Sequence, residues 1–156
     1  MCYSVERGIY AISLLAIGSH LGKKEAWRPM TSHVLVIDDD PSLLELYQLL
    51  LEAEGYRVTT SKTAYEHVSD VENLQPDLIL MDMKLGSKEN GFLLLQKLRL
   101  YRPTKDIPII ICTAAVQAVR EQEETFKEKG IPIIYKPFEI DELLQVVRQY
   151  LPTSIH

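Results

Sequence analysis

The chain has 156 residues, 46% of them hydrophobic, enough to fill one core, so a single soluble domain is the expectation. Its net charge of -5, with Lys and Arg scattered among acids, leaves no basic stripe and excludes nucleic acid as an expected partner. No run approaches the ~20 apolar residues of a membrane span, which excludes a membrane role and makes the cytoplasm the expected location.

Residues 1–32 read as an N-terminal extension, with an apolar stretch at 9–17 followed by a polar segment at 22–29. Glu6 offsets Arg7 and no small-residue cleavage site follows, so the stretch does not read as a signal peptide. Met30 stands directly before the first strand, which makes a start at that methionine the alternative explanation of the extension. Residues 33–152 are the expected domain, and 153–156 a short tail.

Within the domain, short β-branched runs alternate with stretches of helical period, the pattern of βα units around a parallel sheet. The first strand is expected at residues 34–37, followed by a helix starting at Pro41, with Asp40 as N-cap, and ending at Gly55. Leu43, Leu46, Tyr47 and Leu50 are its expected buried face. The second strand, residues 57–60, is more polar than the others and belongs at an edge. Strands at 78–81, 107–112 and 131–135 are nearly continuous apolar runs, as strands covered on both faces should be. Cys112, inside the fourth, reads as a small buried hydrophobe. The last helix follows Pro137 and places Ile140, Leu143, Leu144, Val147 and Leu151 on one stripe. The resulting fold class is a doubly wound, flavodoxin-like five-stranded parallel sheet, order 2-1-3-4-5, with five helices.

Polar residues abruptly end four of these strands: Asp38-Asp39-Asp40 the first, Asp82 the third, Thr113 the fourth and Lys136 the fifth. Open α/β sheets place their sites at the carboxyl ends of strands, where the strand order reverses. In the order 2-1-3-4-5, Asp38, Asp39 and Asp82 converge in one acidic pocket. Crowded carboxylates require a cation, and a few hard oxygen ligands suit Mg²⁺. Lys136 and Thr113 would add a fixed charge and a hydroxyl donor, the parts that phosphoryl transfer needs. Asp40 is most simply a helix N-cap.

The segments Val36-Ile37-Asp38-Asp39-Asp40-Pro41, Asp77-Leu78-Ile79-Leu80-Met81-Asp82, Cys112-Thr113-Ala114 and Lys136-Pro137-Phe138 together resemble the signatures of the response-regulator receiver domain, CheY-like, from His33 to about Leu151. That resemblance implies a phosphoacceptor Asp82 and a Mg²⁺ held by Asp39, Asp82 and the backbone carbonyl of Lys84, with Asp38 assisting through water. Thr113 and Lys136 would bind the phosphoryl group. The implied donor is a sensor histidine kinase or a phosphotransfer protein, and the implied output is contact with an unknown downstream protein. The domain would be no enzyme beyond its own phosphorylation and dephosphorylation. Only five residues follow Leu151, so a stand-alone receiver is expected, and a homodimer through the fourth and fifth helices is compatible with the pattern.

Two features depart from the family. Ile133 stands where an aromatic residue commonly acts as rotamer switch, with Tyr135 nearby, and the loop at 86–91 lacks the proline often found there and is slightly longer. Lys84 places a long cation at the pocket mouth, where it is expected to affect the lifetime of the acyl phosphate. Two rival readings remain at this level. A haloacid dehalogenase-like phosphatase would make Asp38 the nucleophile, but would leave Asp82 unexplained. A degenerate receiver would be a binding module without phosphate chemistry, against which the intact acids, threonine and lysine argue.

Overall fold

A computed structural model describes residues 31–86 and 90–151; the expected N-terminal extension up to residue 30 and the tail at 153–156 lie outside the described residues. The elements run β1 His33–Ile37, α1 Pro41–Ala53, β2 Arg57–Ser61, α2 Val68–Leu74, β3 Leu78–Met81, α3 Asn90–Leu100, β4 Ile109–Thr113, α4 Val116–Arg120, α5 Glu123–Glu128, β5 Ile133–Tyr135 and α6 Ile140–Tyr150. The strands form one all-parallel sheet in the order β2-β1-β3-β4-β5, as the alternating pattern predicts. The more polar second strand does lie at an edge.

Successive strand residues point to opposite faces, so β1, β3, β4 and β5 each feed two cores. Val34, Val36, Leu78, Leu80, Ile110, Cys112 and Ile134 pack with Leu44, Tyr47 and Leu51 of α1 and Leu143, Leu144 and Val147 of α6. Leu35, Ile37, Ile79, Met81, Ile109 and Ile111 pack on the other side against α2, α3, α4 and α5, through Val71, Leu94, Leu98, Val119 and Phe126. Burial on both faces is why the central strands read as unbroken apolar runs.

Four expectations change. The fourth and fifth strands begin two residues late, after Pro108 and Pro132; proline has no N–H for the ladder, though both carbonyls still accept, from Ile79 and Ile111. Six helices replace the expected five, because the chain leaves helical dihedrals at Gln122 (φ -117°), where the Gln122 amide donates to the Val119 carbonyl. Only Val119 and Phe126 are buried in the two pieces, too thin an apolar stripe for packing to hold one continuous helix. The buried face of α1 is Leu44, Tyr47 and Leu51, with Leu43 and Leu50 beside them, while Leu46 is exposed. Ile140 is likewise exposed at the start of α6, the rest of its stripe being buried.

At the end of the sheet opposite the acids, His33 is buried, with Nδ1 against the Leu74 carbonyl at 3.0 Å and Nε2 against Thr59 Oγ1 at 2.8 Å. The carbonyl can only accept, so Nδ1 carries the proton and Nε2 can accept from Thr59. Burial first and the neighbouring Arg57 second lower the pKa of His33, against opposing contributions from the Leu74 and Gln75 backbone and Asp77. The unfolded chain then binds more protons than the folded one between the lowered folded pKa and the ordinary value near 6.5. Stability contributed by the neutral imidazole is complete above that ordinary value and is lost as pH falls through the window. Urea midpoints from pH 7.5 to 5.5 should therefore fall more steeply for the wild type than for His33→Gln; parallel curves would remove His33 as the cause.

Candidate functional site: an acidic pocket at the carboxyl edge of the sheet

The parallel register sets the pocket. Ile37 pairs with Met81, so the residues that follow them, Asp38 and Asp82, emerge side by side. Thr113 pairs with Tyr135, so Lys136 leaves the sheet one step beyond Thr113. The ladder continues into the site through Asp82 N–H to Ile37 O at 2.9 Å, Asp38 N–H to Ser61 O at 3.0 Å and Lys136 N–H to Thr113 O at 2.9 Å. These bonds tie the loops to the strands before any side chain is placed.

Side-chain contacts then fix the carboxylates. Asp82 Oδ1 accepts from Thr113 Oγ1 at 2.7 Å and from the Lys84 amide at 3.0 Å, while Lys136 Nζ donates to Asp82 Oδ2 at 3.0 Å. The same ammonium donates to Asp38 Oδ2, and Asp38 Oδ1 accepts from the Asp40 amide at 2.9 Å. Asp39 is exposed, with Oδ2 taking the Gly86 amide at 3.0 Å. Asp40 caps α1, accepting from the amides of Ser42 and Leu43, and so lies outside the cluster. The side chain of Lys84 is exposed, two residues after Asp82.

Burial pushes the Asp38 carboxyl up, partly offset by the hydrogen bonds from Lys136 and the Asp40 amide. Burial also works against the Lys136 charge, but the bonds and fields of Asp38 and Asp82 outweigh it and raise that pKa. Lys136 is positioned from below: Phe138, two residues on, stacks on Tyr47 of α1 with ring centroids 5.6 Å apart and planes at 24°. Cys112 lies buried under this edge, and burial pushes its thiol up to about 12, so it behaves as the inert small hydrophobe expected from its apolar run.

Oxygens of Asp38, Asp39 and Asp82 lie within 4.8 Å of one another, a spacing at which one small divalent ion can be shared. The donors are carboxylates without nitrogen or sulfur, a set suited to Mg²⁺. The residues present therefore fit the metal.

Residues 34–148 match the family described as the response regulator receiver domain. The chain belongs to that family. Receiver domains are signalling modules phosphorylated on an aspartate by histidine kinases or phosphotransfer proteins, and they bind Mg²⁺ in their acidic site. Among solved structures, this receiver is similar to the CheY-like receiver protein of Methanospirillum hungatei, 31% identical, with a TM-score of 0.65 over 76% of this chain and 92% of that one. It is also similar to the receiver domain of the sensor histidine kinase PA1611 of Pseudomonas aeruginosa, whose crystals hold a magnesium ion in the active-site cleft; that likeness is 26% identity and a TM-score of 0.64 over 77% and 97% of the two chains. The DNA-binding dual master transcriptional regulator RpaA of Synechocystis sp. is 36% identical over 118 residues, 76% of this chain and 48% of RpaA. The chain spans about half the length of RpaA and of the transcriptional regulator KdpE of Staphylococcus aureus. The polar-differentiation response regulator DivK of Brucella ovis is 28% identical, and its match covers 98% of DivK. No helix among the described residues of this receiver is long and apolar enough to cross a membrane.

Gly91 was not singled out from the sequence. It stands in the first turn of α3 instead of in the loop before it, and a β-carbon there would lie 2.3 Å from the Asp82 carbonyl oxygen. Its only sequence signal is a glycine closing a polar loop after an acidic strand end, which is shared with many turns. Ile133, in the position where an aromatic was expected, is half-buried in the second core; Tyr135 points to the same face, and its buried hydroxyl has no hydrogen-bond partner among the described residues.

Proposed function

We propose that this receiver is phosphorylated on Asp82 by a sensor histidine kinase or phosphotransfer protein in a Mg²⁺-dependent reaction, and that it signals through contact with a downstream protein. The observation that carries the reading is the set of donors on one carboxylate: Thr113 hydroxyl and Lys84 amide on one oxygen, Lys136 ammonium on the other. An Asp82 oxygen attacks phosphorus, its new O–P bond forms as the P–N bond of a phosphohistidine breaks, and the electron pair leaves on the imidazole. Lys136 and Thr113 then have donors ready for phosphoryl oxygens, fixed before the reaction by the sheet and by the Tyr47–Phe138 stack. Bound Mg²⁺, held by Asp39, Asp82 and the Lys84 carbonyl with Asp38 assisting through water, would neutralise charge on the transferred group. Asp38 suits a nucleophilic role poorly, being 1% exposed and held by Lys136 and the Asp40 amide, so the phosphatase alternative finds no support. Intact mass after incubation with acetyl phosphate tests the reading: one phosphoryl group gained with Mg²⁺ and none with EDTA is expected. No gain in folded, Mg²⁺-binding protein would favour a degenerate receiver acting as a binding module.

Lys84 should set how long that group stays. Its backbone amide is bonded to the acceptor and its side chain is exposed, so the long ammonium arm is free to reach the phosphoryl group, pair with it and obstruct water. An exposed ion pair is worth up to ~1 kcal/mol, so Lys84→Ala should shorten the half-life of the phosphorylated protein by about threefold. The measurement is decay of the phosphorylated mass after removal of donor, and equal half-lives would assign Lys84 no part in it.

A further inference from the structure

We infer that Gly91 is a positioning residue for the phosphoacceptor, setting Asp82 by direct contact between the start of α3 and the acceptor's own backbone. A β-carbon at Gly91 would meet the Asp82 carbonyl oxygen at 2.3 Å, the Met83 α-carbon at 2.6 Å and the Met83 carbonyl oxygen at 2.7 Å. All three are backbone atoms, so no side chain can swing aside to admit a methyl group. The Gly91 amide also donates to the Met83 carbonyl at 3.2 Å, which ties the helix to the segment it touches. Retreat of α3 is costly: Leu94 and Leu98, on the same stripe of the helix as Gly91, are 1% and 0% exposed and packed in the core, so backing away would unseat them. Interiors packed this densely pass a displacement on instead of absorbing it.

The displaced segment carries every acceptor contact. Asp82 Oδ1 is held at 2.7 Å by Thr113 and at 3.0 Å by the Lys84 amide, and Lys84 follows Met83 directly. Shifting Asp82–Met83 by the several tenths of an ångström that a methyl needs would misalign the carboxylate with Thr113 and Lys136 together. Gly91 makes no contact with the reacting atoms and acts through the backbone alone. The inference rests on reading Asp82 as the acceptor.

The test compares wild type, Gly91→Ala and Val71→Ala, the last a buried truncation in α2, in the same core as Met83, that lowers stability but adds no bulk beside Asp82–Met83. The readouts are the initial rate of phosphoryl gain from acetyl phosphate and Mg²⁺ affinity by calorimetry, at a temperature where circular dichroism shows each protein folded. Gly91→Ala is expected to lose on the order of 10- to 100-fold in rate, the scale of effect from a small misplacement, and to bind Mg²⁺ more weakly, while Val71→Ala keeps both. A Gly91→Ala rate and Mg²⁺ affinity within twofold of wild type would overturn the inference. If Gly91→Ala does not fold, Leu94→Ala, which loosens the seat of α3 without adding bulk, must slow phosphoryl gain more than Val71→Ala does; equal rates for the two would also overturn it. Wild type that takes no phosphoryl group would sink the acceptor assignment alone, and Mg²⁺ affinity would then decide the role of Gly91.

Discussion

Asp82→Ala is expected to take up no phosphoryl group from acetyl phosphate and Mg²⁺ under conditions where the wild type is fully converted. Three carboxylates share the pocket, yet the other two are poorly placed to substitute. Asp38 is 1% exposed, and its Asp40 amide bond holds the turn that leads into α1, so freeing it for attack would disturb the helix start. Asp39 is exposed, and among the described residues its one hydrogen bond comes from the Gly86 amide, so no hydroxyl or ammonium among them is bonded to it as charge develops. Asp82 alone is bonded to both Thr113 and Lys136. Electrostatic preorganisation of this kind carries the larger part of phosphoryl-transfer catalysis, so its loss should reduce uptake by at least about 100-fold, below detection in intact mass. Melting curves should show Asp82→Ala still folded, since removing one acid from a crowded cluster relieves repulsion while Lys136 keeps Asp38. Uptake by folded Asp82→Ala at a rate near wild type would move the acceptor to another residue.

The parts of this site that could be read from the sequence are those where a polar residue abruptly ends a buried strand. Asp38, Asp82, Thr113 and Lys136 each follow or close an apolar run, and such residues can face only the strand-end crevice once the order 2-1-3-4-5 is adopted. What escaped depends on distances between elements. Helix α1 has leucines at 43, 44, 46, 49, 50 and 51, nearly all round its circumference, so period alone could not choose Leu44 and Leu51 over Leu46 for the core. The place of Leu46 is decided by where the sheet lies. Gly91 escaped for the same reason, because the need for a missing β-carbon exists only once α3 has been docked on β3. The break between α4 and α5 has no proline or glycine to announce it; the packing that would override weak local preference is simply sparse there.

Lys136 is the residue on which the resting pocket depends, and Lys136→Met should show it in stability and in metal binding at once. Its ammonium lies between Asp38 and Asp82, which without it face each other as buried acids with the remaining charge of Asp39 nearby. Breaking a fully buried pair costs ~3–5 kcal/mol; with 12% of the Lys136 side chain exposed, a loss of roughly 2 kcal/mol at neutral pH is expected from urea unfolding. Methionine keeps the apolar stem and its packing, so the loss reports the charge. The same vacancy of charge should favour a divalent ion, because Lys136 and Mg²⁺ neutralise the same carboxylates. Calorimetry should therefore find Mg²⁺ bound more tightly by Lys136→Met than by wild type, and saturating Mg²⁺ should restore much of the lost stability. Phosphoryl uptake should nevertheless slow, since the metal can replace the lysine's charge but not the donor it aims at the transferred group. Unchanged stability together with unchanged Mg²⁺ affinity would mean that the two ion pairs count for no more than surface contacts, and that the acids are held apart by their backbone bonds alone.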